Sequence, residues 1–233
     1  MPIYYGMNLV GWLLIILGTV ITIVADWYVN HSYRKYKRKQ TTSGMSGCEV
    51  ARKILDENGL SEVYVVETTG ILSDHYDPSR KVVHLSKDIF HGTTIASASV
   101  AAHEVGHALQ DKDHYAFLRF RSFLVPFVNF GSKFGYIALL IGLIFGLMDF
   151  AWAGIGLLLL ILLFQLVTLP VEFNASSRAE LQLQKFHILS DSEGEESKKM
   201  LRAAAYTYVA SLATTVLELL RLILIVISRD GDR

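Results

Sequence analysis

The sequence predicts a mainly helical membrane protein, in which about four transmembrane helices carry an α+β portion on the cytoplasmic side. Three observations lead to this fold class. Hydrophobic residues make up 52% of the 233 residues, and a mean hydropathy of +0.35 is high for a soluble domain. Long runs of the chain carry almost no charge. Lysine and arginine concentrate in the polar segments between those runs.

The charge balance and the cysteine count exclude several classes of partner and site. The 22 basic residues are matched by 22 acidic residues, so the chain has no net charge and we expect no nucleic-acid partner. The single cysteine, Cys48, allows no internal disulfide and no cysteine-based zinc site. We interpret it as a small packed residue on a helix.

The first predicted span lies within residues 1–29. Residues 9–25 carry no charge, and Tyr4, Tyr5 and Trp27 can extend the span as interfacial anchors. A cleaved signal peptide fits poorly, because the basic residues follow the apolar run instead of preceding it. That basic cluster, residues 31–40, places this side of the span in the cytoplasm and the N-terminus outside.

Residues 30–133 form the first predicted cytoplasmic region, which mixes helices and strands. An amphipathic helix is expected over residues 48–58, with Gly59 as its C-terminal stop. Short β-branched runs at residues 63–66 and 82–85 predict strands, and the connection between them has turn chemistry around Asp77. A helix over residues 94–110 follows.

The helix over residues 94–110 carries the sequence's clearest chemistry, in the stretch "ASVAAHEVGHALQ". His103 and His107 are four residues apart, so both imidazoles leave the same face of a helix, one turn apart. Two such nitrogens can bind one zinc ion, and Glu104 beside them can accept a proton from a water. The pattern is the H-E-x-x-H half of a zinc peptidase site. Gly106 lets another backbone or a substrate come close.

The remaining chain predicts three further spans and a second cytoplasmic segment. Residues 134–171 carry one charge, Asp149, and suit two spans joined by a tight turn, with Lys133 snorkelling at the inner end of the first. Residues 172–202 are polar and basic and are therefore placed in the cytoplasm. Residues 203–233 contain the last predicted span, in which Glu218 and Arg221 can pair on one face.

A zinc hydrolase usually has a third protein ligand, and several residues could supply it. The candidates are several carboxylates and the histidines His75, His84, His91, His114 and His187. Glu172 stands out among the carboxylates, because it begins a polar stretch that the predicted hairpin returns to the cytoplasmic side.

Six motifs in this chain resemble the YugP-like neutral zinc metallopeptidases of bacterial membranes. They are "SDHYDP", "HLS", "AAHEVGHALQ", "LVPFVNFGS", "LPVEFNASSRA" and "AAAYTYVA", and the resemblance runs from the first span to about Arg221. It implies a membrane-embedded zinc peptidase with a zincin-like catalytic portion of the gluzincin kind, distantly similar to the HtpX/Ste24 membrane peptidases. It also implies that Glu172 is the third ligand. Ser176 stands where those relatives have an aspartate that orients a ligand histidine. Ser176 can hydrogen-bond but supplies no charge, so either the support of that histidine is weaker here or another residue, Asn174 first, takes the aspartate's part.

The residues and this resemblance together imply a zinc-dependent endopeptidase of the bacterial cytoplasmic membrane, acting on protein or peptide substrates with Glu104 as general base. Candidates for stabilising the developing oxyanion are Arg178, Tyr206, Tyr208 and His187. The edge of the strand over residues 82–85 could pair with substrate backbone or simply pack in the sheet. The alternative function is a membrane protein that binds metal without turnover, as a scaffold or inactive relative.

Overall fold

The structure of the protein, a computed structural model, describes residues 2–70 and 73–231. The structure does not describe the side chains of residues 2–8, so the predicted interfacial anchors Tyr4 and Tyr5 lie outside the described part. The chain is mainly helical with one small sheet, as predicted. It divides into two compact units. The apolar unit comprises Met1–Asp26, Phe120–Leu169 and Thr207–Arg233, and the polar unit comprises Trp27–Arg119 and Pro170–Tyr206.

The polar unit contains all the strands and the shorter helices. In chain order these are α2 (Gly47–Glu57), β1 (Tyr64–Thr68), β2 (His75–Asp77), β3 (Val82–Ser86), α3 (Lys87–His91) and α4 (Ile95–Lys112). The sheet has the order β1-β3-β2, with β1 parallel and β2 antiparallel to β3. Its core packs α2, α4 and one face of the sheet together. Fully buried members include Val50, Ile54, Leu55, Val83, Leu85, Ala98 and Val105.

Local sequence explains where α2 and α4 begin. Ser46 and Glu49 form a reciprocal capping box at the start of α2. Thr94 caps α4 by accepting a hydrogen bond from the backbone N–H of Ser97. From there α4 buries a run of small residues on nearly every side, so it packs at close range inside the polar unit.

Two features of the sheet differ from the sequence prediction. The segment expected to be only a turn contains β2, three residues that pair with β3. As a result β3 is the central strand, hydrogen-bonded on both sides, and the expectation that it offers a free edge to substrate is wrong. The short helix α3 was not predicted.

Four helices are long and apolar enough to cross a membrane. They are α1 (Pro2–Tyr36), α5 (Ala116–Phe145), α6 (Met148–Lys185) and α7 (Asp191–Gly231). Within the apolar unit α5 and α6 form a hairpin, which turns at Gly146 with a left-handed φ of 69°. Glycines bring these two helices together: a Cβ on Gly142 would meet Ala151, and one on Gly135 would meet Leu158.

The hairpin is longer than the sequence suggested. Helix α5 already begins at Ala116, and its pairing with α6 extends back to Gly131, which faces Leu157. Lys133 therefore lies well inside the paired helices, not at the end of a short span. Glu218 and Arg221 on α7 pair as their spacing predicted, with the Arg221 Nε donating to a Glu218 carboxylate oxygen at 2.9 Å.

Candidate metal centre

Helix α4 presents the two motif histidines side by side in the polar unit. The rings of His103 and His107 have centroids 4.9 Å apart and planes nearly perpendicular, at 85°. His107 is buried, and His103 is partly exposed. Their four-residue spacing on a regular helix is sufficient to produce this arrangement.

Helix α6 brings a carboxylate to the same point. The Glu172 Oε2 atom lies 3.3 Å from His103 Nε2 and 3.7 Å from His107 Nε2. The ligand atoms of the three residues all lie within 4.8 Å of one another. Ligands bonded at about 2.1 Å to a tetrahedral ion are separated by about 3.4 Å, so the donor types and the spacing both fit zinc.

A glycine permits this approach of the two helices. A Cβ on Gly106 would stand 2.5 Å from the backbone oxygen of Ala175 on α6. No side chain fits there, and the α4 backbone therefore lies directly against α6. Glu172, about one helical turn before Ala175, is carried to the histidines by this contact.

Each histidine also has a partner at its second ring nitrogen. With the Nε2 atoms directed at Glu172, the Nδ1–H of His103 faces the Ser176 hydroxyl at 3.2 Å. The Nδ1–H of His107 donates to Gln110 Oε1 at 3.0 Å. Such contacts hold a ligand's tautomer and ring orientation. Ser176 thus contacts His103 from the position at which relatives are expected to carry aspartate.

Gln110 is a site residue that sequence reasoning missed. It is fully buried, and its amide nitrogen donates to the Val171 backbone oxygen at 2.8 Å and to Asn174 Oδ1 at 3.0 Å. It therefore ties His107 to the start of the α6 segment that bears Glu172. The available signal was its position three residues after His107, as a polar side chain that directly follows the apolar pair Ala108 and Leu109.

The remaining predicted site residues are placed as follows. Asn174 contacts Gln110 and accepts from Arg178 Nε at 2.8 Å, and it does not contact His103. Arg178 also pairs with Asp113 at 2.5 Å. Tyr206 is 53% exposed, and its ring contacts that of Tyr28 in a tilted arrangement. Tyr208 belongs to the apolar unit.

None of the other candidate histidines joins the metal-ligand group found in the described residues. His75 and His84 stack on each other across β2 and β3, with ring centroids 4.5 Å apart. His91 pairs with Glu67 at 2.7 Å. His114 and His187 occupy left-handed positions where helices end.

Glu104 lies beside the two motif histidines and is 8% exposed. Burial raises the pKa of its carboxyl group, while the neighbouring His103 and His107 oppose that rise. Asp74 adds a smaller upward contribution. The Asp74 carboxylate is itself held by Ser86, whose backbone N–H donates at 2.7 Å and whose hydroxyl donates at 3.1 Å. This contact joins the "SDHYDP" and "HLS" motifs.

Comparisons with known proteins identify the family of this chain. Residues 11–227 match a family described as "Putative neutral zinc metallopeptidase". A protein of Bacillus subtilis (strain 168), "Putative membrane protease YugP", is 43% identical over 209 residues, covering 89% of this chain and 93% of its own length. No solved structure matches. The chain therefore belongs to this family of neutral zinc metallopeptidases.

Proposed function

We propose that this protein is a membrane-embedded zinc endopeptidase, with His103, His107 and Glu172 as the zinc ligands and Glu104 as the general base. The convergence of these three ligand side chains, with Glu104 next to two of them, is the observation that carries the proposal. Substrates are proteins or peptides, and the sequence relatives support this class.

Zinc, when bound, acts as a Lewis acid that makes a water more acidic and polarises a carbonyl group. Glu104 accepts a proton from the attacking water, whose oxygen forms a bond to the peptide carbonyl carbon. The C–N bond then breaks, and Glu104 returns the proton to the leaving amine.

Ser176 and Gln110 keep the ligand histidines oriented. Each accepts the Nδ1–H of one histidine, which leaves the Nε2 atoms directed at the metal position. Arg178 is a weaker oxyanion candidate than it was from sequence, since its guanidinium is engaged by Asp113 and Asn174.

The alternative, a metal site without turnover, is less favoured by the ligand set. Structural zinc sites usually have four protein ligands, whereas catalytic sites have three and an open position. The group in the described residues has three. A structural site also gives no reason for a buried Glu104 next to the ligands.

We further propose that the polar unit faces the cytoplasm and that both termini lie outside. The support is the positive-inside rule: the basic residues 31–40 and Lys198, Lys199 and Arg202 all belong to the polar unit. The test is labelling of a single cysteine near Lys37 in a Cys48→Ser background. Reaction with an impermeant reagent in intact cells would place the site outside.

The catalytic proposal is tested with two matched pairs of variants. Glu104→Gln should retain zinc and lose hydrolysis, whereas His103→Ala should lose both. Glu172→Ala should lower zinc affinity sharply, while Glu180→Ala, on the same helix but paired with Lys198, should bind zinc like the wild type. Hydrolysis of a confirmed substrate by Glu104→Gln at the wild-type rate would refute the mechanism.

A further inference from the structure

One face of α5 in the apolar unit carries polar side chains that no other part of the described chain covers. Asn129, Lys133 and Tyr136 follow at intervals of four and three residues, so they share one helix face. All three are exposed. We call this set the α5 polar face. Tyr136 also borders a cavity of about 240 Å³, which Thr215 and Glu218 of α7 help to line.

Lys133 lies near the middle of the span. Gly131 and Gly135, which flank it, contact Leu157 and Leu158 of α6. Residues 150–171 of α6 carry no charge and are long enough, at 1.5 Å per residue, to cross about 33 Å. Leu157 and Leu158 lie roughly 12 Å from one end of that stretch. Lys133, at the same level, is therefore close to the centre of a bilayer about 30 Å thick.

The described part of the chain offers Lys133 no counter-charge at that depth. Lys133 makes no ion pair in the part of the chain that the structure describes, and the nearest acidic group along α7, Glu218, is bonded to Arg221 through two hydrogen bonds. Asp149 lies at the hairpin turn. An ammonium group inside a membrane is costly unless it is paired or reaches water.

We propose that the α5 polar face docks a transmembrane helix of another membrane protein, and that an Asp or Glu near the middle of that helix pairs with Lys133. Charge complementarity identifies the occupant. A second copy of this chain fits poorly, because its Glu218 is already paired and two α5 faces would bring Lys133 against Lys133. A lipid headgroup lies too far from mid-span for the lysine to reach it fully.

Asn129 and Tyr136 extend the docking contact by one turn on either side of Lys133. Their amide and phenol groups can hydrogen-bond polar side chains on the incoming helix, and hydrogen bonds of this kind associate helices in lipid. The cavity beside Tyr136 has room for a large side chain of the same helix. This inference does not depend on hydrolysis.

The test uses the full-length protein in phosphatidylcholine vesicles with synthetic transmembrane peptides of about 20 apolar residues. The peptides carry a central Glu, Gln, Leu or Arg, and energy transfer between labels reports binding at neutral pH. The wild type should bind the Glu peptide roughly three- to tenfold more tightly than the Leu peptide. Lys133→Met should abolish this preference.

Lys133→Glu provides a control that a folding defect cannot imitate. This variant should lose the preference for the Glu peptide and gain one for the Arg peptide. Lys198→Met, in the polar unit, should behave like the wild type. Equal binding of the Glu and Leu peptides by the wild type would overturn the proposal. So would cross-links at residue 133 that join two copies of this chain.

Discussion

Replacing Gly106 with alanine adds a single methyl group, which should push apart the two helices, α4 and α6, that carry the candidate metal site. In Gly106→Ala the new Cβ would lie 2.5 Å from the Ala175 backbone oxygen, about 1 Å short of ordinary van der Waals contact. The obstructing atom belongs to a helix backbone, so no side-chain rotation relieves the clash. Helix α4 or α6 has to move.

The consequence for metal binding follows from where the ligands lie. His103 and His107 are on α4 and Glu172 is on α6, so a displacement between the helices changes the distances between their ligand atoms. Metal–ligand distances tolerate only about 0.2 Å. We therefore expect zinc affinity to fall at least tenfold to a hundredfold and stability to fall by about 1–3 kcal/mol from overpacking.

The assay is zinc competition with a chelator of known affinity on purified protein, alongside thermal unfolding. Gly194→Ala is the matched control, because Gly194 is also helical and a Cβ there meets nothing within 4 Å. It should bind zinc normally and be stabilised by less than about 1 kcal/mol. Wild-type zinc affinity in Gly106→Ala would refute the argument that close backbone contact sets the site.

Four further variants, at three positions, test the supporting contacts. Gln110→Leu removes the acceptor for His107 and should weaken zinc binding about tenfold to a hundredfold in the chelator assay, and no change would contradict its role. Ser176→Asp supplies a charged acceptor to His103 and should tighten zinc binding, whereas Ser176→Ala should weaken it. Thr94→Ala removes the α4 cap and should cost about 1 kcal/mol in urea unfolding, with zinc affinity in the folded protein unchanged.

Much of the fold was predictable because its signals are local. Hydropathy and charge identify the four long helices, and the capping residue Thr94 marks the start of α4 within the sequence itself. The pairing of His103 with His107 needs only the period of one helix. The strands β1 and β3 were located to within two residues at each end by their β-branched runs.

Other features depend on pairing or packing with a second element that their own residues do not indicate. The three residues of β2 have no strand pattern of their own and are ordered by pairing with β3, which also removed the free edge expected of β3. Likewise, the depth of Lys133 follows from the glycine contacts between α5 and α6, not from the polarity of residues 116–133, and that polarity also gave no sign that α5 begins at Ala116.

The metal centre shows the same division. The sequence by itself determined two candidate ligands and the neighbouring glutamate, because these lie within one turn of one helix. For Glu172 it gave a candidate among several, since the choice needs a contact between residues more than sixty positions apart. Only the tertiary structure decided that Glu172 meets the histidines and that Ser176 and Gln110 contact the Nδ1 atoms of His103 and His107. It also showed that Gly106 allows the close approach of α4 and α6. Helix periodicity is a property of the local sequence, whereas the packing of α4 against α6 depends on the whole polar unit.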